Sequence, residues 1–167
     1  DPVAQTFRVD ENGGVFLKKV TLYFEDKPDT ANNDKSTPVR IRIVDTDNGY
    51  PSSKIVPFSE ISKDPDQVNI SSDSSVGTTF EFEDPVFLEE GEEYALVVLS
   101  NSTEYRMWTS VRGEQDIQTN ELIARQPHMG SFFKSQNNST WSADQNRDMK
   151  FQFENCDFVD STGEFYL

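Results

Sequence analysis

The amino-acid sequence predicts an all-β protein, an antiparallel and jelly-roll-like β-sandwich of about nine strands. Apolar and polar residues alternate within short segments, turn residues recur every few positions, and no segment has the length and periodicity of a long helix. The alternation is sharpest in residues 15–24, where Val20, Leu22 and Phe24 fall on one face and Lys19, Thr21 and Tyr23 on the other. Residues 38–43 repeat it with Val39, Ile41 and Ile43 inward, and residues 79–83 with Phe80 and Phe82 inward. Residues 94–99 are apolar on both faces, the pattern of a central strand covered on both sides or of one that meets another chain. Further strands are expected at residues 4–9, 67–70, 105–111, 131–135 and 149–153.

The connections carry turn chemistry: Asn12-Gly13-Gly14, Asp47-Asn48-Gly49, Asp64-Pro65-Asp66, Asp84-Pro85, Glu90-Gly91 and Met129-Gly130. Residues 113–125 alone lack both alternation and a breaker, and are expected to form a short helix or a long loop.

A length of 167 residues fits one domain. The expected division is a single sandwich over residues 1–158 and a C-terminal extension over 159–167 that leads into a following segment or is exchanged with a neighbouring subunit. The first residues, Asp1-Pro2, suggest a fragment of a longer protein. Hydrophobic content of 34% is low for a globular domain, but 13 Phe recurring at alternate positions indicate a packed core rather than a solvated chain. Fifteen Lys and Arg against 30 Asp and Glu give a formal charge of −15, and the basic residues form no cluster longer than Lys18-Lys19, which excludes a nucleic-acid surface. No run approaches the ~20 apolar residues that membrane insertion requires. Cys156 is the sole cysteine, so an internal disulfide and a cysteine-based zinc site are excluded.

No catalytic residue, metal ligand or cofactor site is assigned. Glu81 with Glu83 and Glu92 with Glu93 are nominal acid pairs that solvated strand faces and turns explain. His128, the only histidine, sits among turn residues, and no Gly-x-Ser-x-Gly elbow accompanies it. No glycine loop has phosphate-binding spacing. Asp45-Thr46-Asp47-Asn48-Gly49 offers oxygen ligands, but the twelfth position of an EF-hand counted from Asp45 is Val56, where a bidentate Glu is needed, so a hairpin turn without calcium is expected. Tyr105, Trp108 and Trp141 are the candidates for stacking on a glycan, being aromatic residues beside polar ones; Tyr50 in its turn is a further ambiguous ring. Asn69, Asn101 and Asn138 each open a glycosylation sequon.

An ordered set of phrases runs through the chain: Gln5-Thr6-Phe7, Gly14-Val15-Phe16-Leu17, Asn48-Gly49-Tyr50-Pro51, Thr79-Phe80-Glu81-Phe82, Pro85-Val86-Phe87-Leu88 and Gly91-Glu92-Glu93-Tyr94. They are followed by Gly130-Ser131-Phe132-Phe133, Thr140-Trp141 and Asp148-Met149-Lys150-Phe151. In this order the phrases resemble a domain of large tail and baseplate structural proteins of contractile-tailed, T4-like bacteriophages, especially marine ones. They are also similar to non-catalytic sandwich domains of bacterial surface proteins. The resemblance implies a non-enzymatic virion module whose partners are other chains of the same particle or parent protein. The alternative expectation is an extracellular or virion-borne carbohydrate-binding module that recognises cell-surface glycans.

Overall fold

The computed structural model describes residues 1–31, 37–111 and 129–156, with the side chain of Met129 excepted. The expectations for residues 113–125, for His128 and for residues 159–167 lie outside the described residues. Thirteen strands and one turn of 3-10 helix are present among them. They are β1 (Val3–Arg8), β2 (Val15–Asp26), β3 (Val39–Asp47), β4 (Tyr50–Ile55), β5 (Ile61–Lys63), β6 (Gly77–Leu88) and β7 (Glu93–Ser100). The chain continues through β8 (Arg106–Met107), β9 (Thr109–Val111), β10 (Met129–Ser135), β11 (Trp141–Asp144), β12 (Arg147–Met149) and β13 (Phe151–Asn155). The first sheet has the order β11-β10-β1-β7-β3-β4, with β5 also on β3; the second has the order β13-β2-β6, with β8 on the end of β2. A short β12-β9 ribbon completes the set, and every pairing between named strands is antiparallel. Core side chains of the two larger sheets pack against each other, which makes the fold an all-β sandwich.

Alternation explains what lies between the sheets. Phe7, Ile41, Ile43, Leu96 and Phe132 of the first sheet meet Leu17, Leu22, Phe24, Phe80 and Val86 of the second, all 5% exposed or less. One polar pair interrupts this layer. Gln5 is fully buried; its Oε1 accepts the Met149 N–H at 3.0 Å and its side chain hydrogen-bonds the buried carboxyl of Asp148.

The other face of the first sheet carries a second cluster of Ala4, Val44, Ala95, Val97 and Phe133, with Leu99 and Trp141 against it. Curvature accounts for its small residues. Four strand spacings separate β10 from β4, roughly 19 Å in a flat sheet, yet the Tyr50 ring lies 5.3 Å from the Phe133 ring. The sheet therefore curls into a half-barrel that brings β4 towards β1, and its concave face has room for alanine where a larger side chain would collide. Gly130 belongs to the same crowding. A Cβ there would overlap Thr6 Oγ1, which accepts the Ser131 N–H at 2.7 Å where the β1–β10 register shifts.

Three local expectations are corrected. Residues 67–70 form no strand, because Asp64-Pro65 starts a helical turn (Pro65–Gln67) that the Gln67 side chain closes by accepting the Asp64 N–H. Asp84-Pro85 is no turn either: β6 runs through it, and the ladder absorbs the break by setting four residues, Phe82 to Pro85, against one, Lys18. Proline is tolerated because β6 pairs with β2 alone among the described residues, so its missing N–H breaks no second ladder. Finally, the expected strands at 105–111 and 149–153 each divide, at Trp108 and at Lys150, where the Lys150 N–H donates to the Trp108 carbonyl.

Candidate functional site

The three aromatic residues singled out for glycan stacking do not converge on one platform. Tyr105 packs against the inter-sheet core with its ring 6.0 Å from Phe24, and its hydroxyl donates to the Thr37 carbonyl at 2.7 Å. Burial pushes that hydroxyl up to about 12, so it stays a neutral donor. Trp108 is half-buried, and its indole N–H donates to the Ser71 carbonyl at 2.9 Å. Trp141 is half-buried against the second cluster.

The exposed aromatic surface lies elsewhere. Phe16 at the start of β2 and Phe87 near the end of β6 are cross-strand partners with rings 5.0 Å apart, and they are 40% and 44% exposed. Beside them the turn Val56-Pro57-Phe58-Ser59 holds Phe58 outward at 68% exposure. The backbone of this turn is informative. The Ser59 N–H donates to the Val56 carbonyl, Pro57 occupies the first central position, and Phe58 occupies the second with φ of 68°. A type II turn requires this left-handed conformation at that position, where glycine is the normal occupant. A phenylalanine there carries backbone strain.

Ser59 fixes the turn to the sheet. Its buried hydroxyl accepts the Ile43 N–H at 3.1 Å and lies within donating distance of the Ile43 and Val56 carbonyls. Phe58 therefore projects from an anchored turn into an open groove of about 430 Å³ lined by Phe16, Ile55, Pro57, Pro85, Phe87 and Tyr94. Asp45 and Lys54, 3.7 Å apart, add a polar edge to the groove.

This groove and a second cavity lie at opposite ends of the sandwich. Tyr94, Asp45 and Phe16 line the groove, while Val98, Val39 and Phe24 of the same strands β7, β3 and β2 line the cavity. The Asp45-to-Gly49 segment forms a hairpin turn in which Asp47 pairs with Tyr50, and left-handed Asn48 and Gly49 provide the turn between them. Among the described residues no three His, Cys, Asp or Glu side chains gather as a metal site, and no helix is long and apolar enough to cross a membrane.

Phe58 escaped sequence reasoning because Val56-Pro57-Phe58-Ser59 has no glycine and no alternation. The one usable signal was an aromatic residue directly after a proline in a short connection between strands. No family model, curated protein or solved structure matches the chain.

Proposed function

We propose that this domain is a non-enzymatic structural module of a phage tail or baseplate protein that holds a neighbouring chain of the particle against the groove around Phe58. The observation that carries the reading is a large apolar side chain kept in solvent on a strained, anchored turn. A ring fixed in this way binds with little loss of conformational freedom, and aromatic anchors beside apolar pockets dominate protein interfaces. Phe16 and Phe87 extend the apolar surface, and the strongly acidic remainder of the chain opposes nonspecific association. The carbohydrate-binding alternative has less support, since Tyr105, Trp108 and Trp141 are each engaged with the fold.

A photocrosslinking residue at position 58 of the parent protein, activated in the assembled particle, is expected to yield an adduct with a neighbouring chain. The Phe58→Gly variant is expected to melt like the parent domain while particle assembly falls. Normal assembly of that variant, with no adduct from position 58, would overturn the reading. A glycan array screened with the domain separates the alternative: specific binding that disappears in a still-folded Trp108→Ala or Trp141→Ala variant would favour the carbohydrate module.

A further inference from the structure

At the end of the sandwich away from Phe58 the two sheets part around a cavity of about 300 Å³. Among the described residues, the second layer opposite the end of β7 consists of the two-residue β8 and the β9–β12 ribbon. The cavity walls are core side chains of both layers, among them Val3, Phe24, Val39, Val98, Phe132 and Met149. They leave room for on the order of ten water-sized groups.

The polar groups among the lining residues are unequal in what they lack. The Ser100 hydroxyl donates to the Pro38 carbonyl, and the Tyr105 hydroxyl is committed to Thr37. The cations are less well satisfied. Arg147 Nε is shielded from solvent without a hydrogen-bond partner, its nearest carboxylate being Asp144 Oδ2 at 3.7 Å. Lys134 makes no ion pair among the described residues, and Asp1 is the one carboxylate among the lining residues. A buried guanidinium N–H without an acceptor calls for one, and a planar carboxylate matches it in charge and shape.

We infer that this cavity binds a small amphipathic carboxylate of medium chain length, its aliphatic tail between the sheets and its head group against Arg147 and Lys134. The site is independent of the Phe58 surface and does not depend on the structural role proposed above. Titration calorimetry of the full chain with octanoate and decanoate, below their micelle concentrations, tests it against octylammonium as the oppositely charged control. One-to-one binding of the carboxylates is expected, with a rise in Tm and no binding of octylammonium. Arg147→Gln with Lys134→Gln should weaken binding by about tenfold or more, as loss of charge-assisted hydrogen bonds does. Thr109→Phe, which fills the cavity from β9, should abolish it. Both variants are checked for cooperative melting, and Lys134→Gln alone, at an exposed position, serves if either fails to fold. Absence of carboxylate binding at millimolar concentration would overturn the inference. So would equal binding of octylammonium, or affinity unchanged by removal of the two cations.

Discussion

The two faces of the first sheet are built by different rules. Towards the second sheet, large side chains such as Phe7, Ile43, Leu96 and Phe132 interdigitate with those of β2 and β6. On the concave face the same strands present Ala4, Ala95 and Val97, and the fit comes from curvature instead of a facing layer of strands. Strand β7 carries both patterns at once, which is why its sequence is apolar at every position from Tyr94 to Leu99. One face should therefore be most sensitive to loss of volume and the other to gain of it.

Phe80→Ala, in the inter-sheet layer, is expected to cost about 3–5 kcal/mol, because it leaves a cavity where both sheets meet. Urea unfolding measures it, and a cost below that of an exposed substitution would break the distinction between the faces. Ala95→Leu is the complementary change. Its added volume inside the curl is expected to destabilise by about 1–3 kcal/mol, and a neutral result would mean that the concave face is looser than its burial implies.

Asp148 sharpens the comparison at the polar interruption of the inter-sheet layer. Burial raises its carboxyl from an ordinary 3.8 to about 6, with the Gln5 hydrogen bond opposing the rise. Between these values the folded protein keeps a proton that the unfolded chain releases, so the contribution favours folding at low pH and is lost as pH rises through 6. Asp148→Asn cannot ionise. Its Tm relative to the parent is expected to climb between pH 4 and pH 7.5, and a constant difference would show that the carboxyl does not titrate in this range. The smallest effect belongs to neither face. Phe58→Gly relieves a left-handed backbone while adding glycine's flexibility to the unfolded chain, so stability is expected to change by no more than about 0.5 kcal/mol. A large loss on thermal melting would place Phe58 in the core rather than at a contact surface.

Much of the sandwich was legible because period-two alternation is a local property. Residues 4–9, 15–24, 38–43, 94–99 and 131–135 all fall within or largely overlap strands of the structure. The short β4, β5 and β11 were not legible, since Tyr50-Pro51-Ser52 or Ile61-Ser62-Lys63 has too few apolar positions for alternation to register. Their pairing is imposed by β3, and in β11 by β10. The candidate sites were less accessible still. Whether Trp108 stacks on a ligand or donates to Ser71 depends on a loop 37 residues away in sequence. Similarly, Lys134 and Arg147 line one cavity only because β10 and β12 both border it.

The placement of the chain's first and last described residues has a mechanical consequence. Asp1 borders the cavity end, and the Cys156 N–H donates to the Phe16 carbonyl at the groove end. A load applied between them runs along β1 and β13 rather than across them. The hydrogen bonds of β1 to both β7 and β10 would then resist sliding together, instead of opening one after another as in a peeled hairpin.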